Sequence, residues 1–84
     1  MNFDKFKEAL DKNYCWPTEY PYKFIIPFTE LNELERIIGK EGMITTPSKN
    51  GKYLSVSYTK NVNSSDEVIA IYKDVSHIKG IISL

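Results

Sequence analysis

The chain contains very few of the residues from which catalytic and metal sites are built. Among its 84 residues there is one cysteine, Cys15, and one histidine, His77. A lone cysteine excludes an intrachain disulfide, a cysteine-ligated iron–sulfur cluster and a cysteine-rich zinc site. No phosphate-binding glycine loop, metalloprotease helix motif or serine nucleophile motif occurs. We therefore predict no cofactor, no metal ion and no catalytic residue, and we interpret the protein as a non-enzyme.

Cys15 and His77 are nevertheless the two candidates for nucleophilic or acid–base chemistry. The sequence pattern offers His77 no carboxylate or serine partner, which favours a surface or capping role. Cys15 lies beside Trp16 without a neighbouring histidine or helix N-terminus to activate its thiol, which favours a half-buried structural role. The pair Asp66 and Glu67 is explained as the acidic first turn of a helix.

Net charge and long apolar runs are also lacking. Eleven acidic residues balance eleven basic ones, so no net field concentrates nucleic acid, anionic lipid or an acidic substrate. The first residues alternate apolar and charged side chains, unlike a signal peptide, and no segment has the length of a transmembrane helix. These observations predict a cytoplasmic protein without membrane contact. One domain is expected over 1–84, with a helical arm over 1–16 and a core over 17–84.

The spacing of apolar residues predicts the elements of the first half. Residues 3–10 have the pattern of a short amphipathic helix. Aromatic and β-branched residues between two prolines predict a strand over 20–27. A second helix is expected next, with Thr29 as its N-cap and Gly39 or Gly42 at its end.

The hairpin is the most specific local signal in the chain. The dipeptide Asn50–Gly51 is preferred in a two-residue type I′ turn, in which both residues have positive φ. This turn predicts two strands, over 43–47 and 52–60. Counting outward from the turn sets Ile44 opposite Ser57.

The last two elements complete the order of a known fold class. A helix with Ser65 as N-cap and an apolar stripe over 68–75 is followed by a strand over 78–84. Strand, helix, strand, strand, helix, strand is the order of the α+β ferredoxin-like βαββαβ sandwich, with two helices on one face of a four-stranded antiparallel sheet of order 4-1-3-2. The residues predicted to be buried are Phe24, Ile26, Leu31, Leu34, Ile38, Leu54, Val56, Val68, Ile71, Tyr72, Val75 and Ile82.

The other face of such a sheet is left open by the two helices. Alternation along the strands predicts that this face carries isoleucines, hydroxyl groups and two lysines. Its predicted residues are Lys23, Ile25, Ile44, Thr46, Ser55, Ser57, Lys79 and Ile81. A half-solvated face is ordinary in antiparallel sheets. Alternatively it is a partner interface, because small residues permit close approach around an apolar centre, or the aromatic residues of the arm fold across it.

Beyond these patterns, the sequence resembles the YbeD-like family of small bacterial proteins of unknown function over about 16–84. The resemblance is carried by Pro47–Tyr53 with the Ser-Val-Ser at 55–57, by the helix at 64–75 and by the isoleucine-rich end at 78–84. It implies a ferredoxin-like fold similar to ACT domains, which bind amino acids and regulate metabolic enzymes by pairing their sheets. It implies no catalytic residue.

The resemblance also bears on function. ACT domains bind their effectors at a glycine-containing turn after the first strand, whereas the junction here is Pro27-Phe28-Thr29, without glycine. The resemblance therefore implies a regulatory or adaptor module that binds another protein or itself, as a homodimer. Three alternatives stay open: a small-molecule-sensing ACT-like domain, an RNA-binding module, and a small enzyme with a pocket that joins His77 to an acid or to Cys15. Zero net charge and a serine at position 55, where a stacking ring would be needed, disfavour nucleic acid.

Overall fold

The computed structural model describes residues 3–84 and has an α+β fold, with three helices and an open four-stranded antiparallel sheet. Its elements are α1 (Phe3–Asn13), β1 (Thr18–Pro27), α2 (Leu31–Ile38), β2 (Met43–Pro47), β3 (Tyr53–Val62), α3 (Ser65–Val75) and β4 (Ile82–Ser83). The strands lie in the order β2-β3-β1-β4. Counted from the β4 edge, the neighbours read 4-1-3-2. Met1 and Asn2, the start of the predicted arm, lie outside the described residues.

The helical arm is α1, and it packs against α3 on the side of the sheet that the helices cover. Leu10 is buried, and the ring of Phe6 meets Tyr72 edge-on with the centroids 5.5 Å apart. Lys7 Nζ donates a hydrogen bond to Ser65 Oγ at 3.0 Å. The alternative in which the arm folds across the open face is therefore wrong.

Strand β1 runs through the middle of the core, and its side chains alternate strictly between buried and more exposed positions. Tyr20, Tyr22, Phe24 and Ile26 are buried under the helices, and the residues between them are exposed or half-buried. The hydroxyl of Tyr22 donates to the carbonyl oxygen of Val68 at 3.3 Å. Because a buried hydroxyl without a partner costs free energy, this bond allows a tyrosine to serve as a core residue.

Helix α2 begins differently from the prediction. A 3₁₀ turn, Phe28–Glu30, follows Pro27 directly, so Thr29 lies inside that turn and is not the N-cap. The N-cap of α2 is Glu30, at the end of this turn, and its side chain makes no capping hydrogen bond. The predicted end at Gly39 is confirmed, and its φ of 79° is in the left-handed region that favours glycine.

The β2–β3 hairpin has the predicted register but a longer loop. The strand pairs are those obtained by counting outward from Asn50–Gly51. Ser48 N, however, donates to Tyr53 O at 2.8 Å, so the loop contains the four residues 49–52. Asn50 does not have positive φ, which makes the type I′ assignment wrong. A four-residue loop centred on the same dipeptide keeps the register, which is why the pairing was still correct.

The glycine before β2 gives a stability prediction. Gly42 has φ 77°, and a Cβ there would lie 2.8 Å from the carbonyl oxygen of Thr59. We expect Gly42→Ala to destabilise the fold by about 2–3 kcal/mol, from backbone strain and from this contact. Gly39→Ala is the matched control, because its φ is 79° and nothing lies within 4 Å of the new Cβ. Urea unfolding should show the smaller loss for Gly39→Ala, and equal losses would contradict the steric argument.

Helix α3 is capped one residue earlier than predicted. Ser64, not Ser65, is the N-cap, and its hydroxyl accepts a hydrogen bond from Glu67 N at 3.3 Å. The carboxylate of Glu67 accepts in turn from Asn63 N at 2.7 Å. Ser65 is buried and receives the hydrogen bond from Lys7. Two adjacent serines both suit a cap, and the contact with α1 distinguishes them.

The last strand is shorter than predicted and shifted by one residue. Ile82 lies opposite Ile25, and Ser83 lies opposite Phe24. This register leaves Ile82 51% exposed on the open face, so its predicted burial is wrong. Ile81 packs partly buried against the core instead.

The turn before β4 causes this shift. Ile78 is buried, and Gly80 has φ 77° with its Cβ position 2.9 Å from the ring of Pro27. The chain therefore turns through residues that the prediction assigned to the strand. Since successive side chains of a strand point to opposite faces, a slip of one residue moves every later side chain of the strand to the other face of the sheet.

Strand β4 pairs with only the last part of the ten-residue β1. Leu84 N donates to Lys23 O at 2.9 Å, so the backbone groups of Lys23 face β4. Pro21, two residues earlier, therefore directs its nitrogen to the same edge, beyond the end of β4. At the opposite edge of the sheet, Ser48 N bonds to β3, so Pro47 directs its nitrogen outward.

The core lies between the sheet and the helices. The predicted burial is confirmed for Phe24, Ile26, Leu34, Val56, Val68, Ile71, Tyr72 and Val75. Leu31, Ile38 and Leu54 are only partly buried against this core. Further buried side chains are Leu10, Tyr20, Tyr22, Tyr58, Val62, Ile69 and Ile78.

Candidate functional site

The open face is the side of the sheet opposite the helices, and the strand register identifies its residues. Six predicted site residues lie on it together: Lys23, Ile25, Ile44, Thr46, Ser55 and Ser57. They form two rows across β2, β3 and β1, one through Ser57 and one through Ser55. That a partner binds there stays a prediction.

The two remaining predicted residues, Lys79 and Ile81, do not join this face. Lys79 lies in the turn before β4, and Ile81 packs partly buried against the core. The shifted register places Ile82 and Leu84 on the face instead, where they extend the two rows onto β4. The sequence signal for this correction is Gly80, which suits a turn better than the interior of a strand.

The open face carries most of the exposed large hydrophobic side chains. Among the described residues, five large hydrophobic side chains are exposed, and four of them belong to this face. Ile44 is 69% exposed, Leu84 64%, Ile82 51% and Tyr53 45%, whereas the fifth, Phe28, lies in the 3₁₀ turn. Scattered exposed apolar residues are ordinary, but a group on one surface marks a site of interaction.

Lys23 is the cation in the middle of this face. It lies opposite Ser57 and two residues before Ile25. Within residues 3–84 its ammonium group makes no hydrogen bond or ion pair. Glu19, on the same side of β1, is four residues away, about 13 Å at the rise of a strand. The apolar part of the face therefore borders an uncompensated positive charge.

Aromatic rings are scarce on the open face. Tyr53 is the one aromatic residue that the described strands direct to this side. Tyr58 is buried under the helices, and its hydroxyl donates to the carbonyl oxygen of Ile38 at 3.2 Å. Burial raises the pKa of the Tyr58 hydroxyl above its ordinary value. The face thus lacks the paired rings on which nucleic-acid bases would stack.

His77 lies in a separate depression of about 520 Å³ on the surface, which is lined by Glu33, Arg36, Ile37, Asp74 and His77. Arg36 Nε donates to Glu33 Oε2 at 3.1 Å, and this pairing lowers the pKa of the Glu33 carboxyl. In the described part of the chain, His77 makes no hydrogen bond to either carboxylate. The fold brings these residues near one another without forming an acid–base pair.

Cys15 is exposed, so its predicted half-buried position is wrong. The rings of the neighbouring Tyr14 and Trp16 stack with their centroids 5.8 Å apart. Both rings pack against the core, whereas the thiol of Cys15 does not. Across residues 3–84, no group of three or more histidine, cysteine or acidic residues is placed to hold a metal ion. Nor does any helix in this range have the length and apolar character needed to cross a membrane.

This fold and open face define a small α+β protein built on an antiparallel sheet. A family model described as "Protein of unknown function (DUF493)" matches residues 11–84. The chain therefore belongs to this family of uncharacterised small proteins. The match includes all four strands and extends into α1. No curated protein and no solved structure matches the chain.

Proposed function

We propose that this protein is a non-enzymatic regulatory or adaptor module that binds another protein through the open face of its sheet. The observation that carries the proposal is the grouping of Ile44, Tyr53, Ile82 and Leu84 on one face, each at least 45% exposed. Removing apolar surface from water on binding contributes a favourable free energy of about 25 cal/mol per Å². A face that combines exposed apolar side chains with hydroxyl groups has the composition of a protein interface.

The finer assignment of the fold belongs to the same proposal. We infer a ferredoxin-like sandwich related to the YbeD-like family, because the helices share one face of a sheet built in the order strand, helix, strand, strand, helix, strand. The ACT-like alternative, a sensor of small molecules, has less support. Pro27 leads directly into the 3₁₀ turn without a glycine, so the turn lacks the feature on which effector binding depends in that class.

RNA binding is the competing function, and the face supports it less well. Recognition of single-stranded RNA uses aromatic side chains on the central strands and a basic surface. Here Tyr53 is the one aromatic side chain that the described strands place on this face, and Ser55 follows it on the same side of β3. The chain also has no net charge.

Introducing a new lysine in the centre of the open face, by the substitution Ser57→Lys, tests the proposal. We expect Ser57→Lys to change the free energy of unfolding by about 0.5 kcal/mol or less, because Ser57 is exposed. Partner binding should fall at least about tenfold, because an unpaired charge buried in an interface costs several kcal/mol. The measurements are urea unfolding and quantitative recovery of binding proteins from host lysate on immobilised protein. Thr45→Lys is the control, an exposed position on β2 that points away from the open face.

Three results would contradict the proposal. Strong destabilisation by Ser57→Lys would mean that the fold itself covers this position. Equal recovery of the same proteins by the wild type and both variants would place their binding site elsewhere. Repeated recovery of RNA alone would favour the competing function.

A further inference from the structure

The open face is not flat, because its central strand carries the smallest side chains. Ser55 and Ser57 form the floor of a channel along β3. Ile44 and Thr46 on β2 line one side of this channel, and Lys23 and Ile25 on β1 line the other. We call this feature the serine channel.

The width of the serine channel suits a helix. Adjacent strands are about 4.8 Å apart, so the two lining strands are separated by about 10 Å. An α-helix with its side chains is about 10–12 Å across. A helix laid along β3 can therefore direct one row of side chains onto the serines while its flanks contact Ile44 and Ile25. An extended peptide gains most of its affinity from backbone hydrogen bonds at a sheet edge, and a sheet face offers none.

The charge beside the channel specifies one residue of the occupant. An apolar helix lying next to Lys23 would remove water from an ammonium group that has no partner among the described residues. Such a charge is costly unless the partner supplies an opposite charge. The occupant should therefore carry an aspartate or glutamate on the flank that faces β1.

A second copy of the chain meets these requirements poorly. The buried stripes of α1, α2 and α3 are used in the core, so a second copy has only its own sheet face to offer. Suppose that two copies stack their open faces about a two-fold axis perpendicular to β1. With the axis near Ile25, the apolar rows would be buried, but each Lys23 would lie against the other copy's Pro27. An axis near Pro21 would pair Lys23 with Glu19, but it would leave the apolar rows beyond the contact. Neither of these two axes satisfies both requirements.

We infer that the serine channel receives an amphipathic helix of another protein, apolar at positions i, i+3, i+4 and i+7 and carrying one carboxylate beside Lys23. This inference rests on the proposed function, since it names the partner class for the same face. Thr59 follows Ser57 on the same side of β3 and extends the floor. From Ser55 to Thr59 the floor is about 13 Å long, which corresponds to about nine helical residues.

A displayed peptide library tests the inference directly. The probe is a library of helix-forming peptides of about fifteen residues, selected on the wild-type protein and depleted on Ser57→Lys. We expect the enriched peptides to have apolar residues at helical spacing with one conserved acidic position. Amide shifts on binding should centre on Ser55, Ser57 and Ile44, and circular dichroism should show added helix.

A charge exchange gives the sharper readout. Lys23→Glu should weaken an enriched acidic peptide by about tenfold or more, and replacing the peptide's carboxylate by lysine should restore binding to this variant. Lys79→Glu is the matched control and should have no effect, since Lys79 lies in the turn before β4. Enriched peptides that bind in extended form, that lack the acidic preference or that shift other amides would overturn the inference.

Sedimentation separates failure of the inference from failure of the proposed function. If no helical peptide is enriched and the wild type is a dimer that Ser57→Lys dissociates, the face binds protein but its occupant is a second copy. The proposed function then stands while the inference fails. If the peptides fail, the wild type is monomeric and lysate recovery is unchanged by Ser57→Lys, both are overturned.

Discussion

Replacing Phe24 by alanine is expected to remove about 3–5 kcal/mol of folding stability. Phe24 is fully buried in β1, where its ring stacks on Tyr22 at 5.9 Å and meets Tyr72 edge-on at 6.0 Å. Truncation therefore removes apolar contacts within β1 and between β1 and α3, and it leaves a cavity that the rigid sheet cannot close. Small domains have a total stability of about 5–15 kcal/mol, so this single change removes a large share of it.

Phe28→Ala is the matched control for this prediction. Phe28 has the same side chain, but it is 56% exposed in the 3₁₀ turn, so its loss should cost about 0.5 kcal/mol. The measurement is urea unfolding of the wild type and both variants, with equal slopes confirming that the unfolding transition is comparable. Similar losses for the two phenylalanines would contradict the assignment of the core to the β1 side that carries Phe24.

The second large loss of folding stability is expected at alkaline pH. Burial raises the pKa of the Tyr22 and Tyr72 hydroxyls far above their ordinary value, and Tyr58 shifts in the same direction. The neighbouring Tyr20 adds to the effect, because its hydroxyl lies 3.3 Å from that of Tyr72. These three tyrosines therefore hold their protons in the folded state at a pH where they lose them in the unfolded chain.

The sign of the pH dependence follows from this difference. Below the unfolded pKa of about 10 both states are protonated, and the full stability is present. Above it the unfolded state binds fewer protons, so the free energy of unfolding falls by about 1.4 kcal/mol per pH unit for each of Tyr22 and Tyr72, whose pKa values are raised furthest. Unfolding in urea at several values between about pH 9 and pH 12 measures this slope.

Tyr22→Phe provides the control for the alkaline slope. The variant removes one titrating group from the core, so its stability should decline less steeply with pH by about 1.4 kcal/mol per unit. It also loses the hydrogen bond to the Val68 carbonyl, which shifts the whole curve without changing its slope. An unchanged slope would mean that Tyr22 does not titrate differently in the folded and unfolded states.

The parts of the fold that the sequence predicts are those with a local cause. Alternation alone identifies the buried side of β1 and β3, because period two leaves a side chain one of two faces. The hairpin register was also predictable, although the turn type was not. Loops of two and of four residues centred on Asn50–Gly51 pair the same residues, so the error in the turn had no effect on the pairing.

The parts that could not be predicted depend on contacts between distant segments. Ser64 and Ser65 are equally good caps by residue type, and only Lys7 on α1 distinguishes them. The position of α1 itself is set by α3, which begins more than sixty residues later, through contacts such as that of Phe6 with Tyr72. For the open face, six of eight residues followed from alternation and register, whereas Lys79 and Ile81 were misplaced by the unrecognised turn at Gly80.

The prolines at the edges of the sheet explain how the protein can carry an exposed apolar face. A sheet grows when a new strand finds amide donors along an open edge. Pro21 removes a donor from the part of β1 beyond β4, and Pro47 removes one from the outer edge of β2. On β2, Met43 N already donates to Lys40 O at 3.3 Å, so Thr45 has the one amide left on that edge within the described strand. Each edge thus offers a new strand fewer amide donors, which disfavours growth of the sheet from one molecule to the next while the apolar face stays exposed.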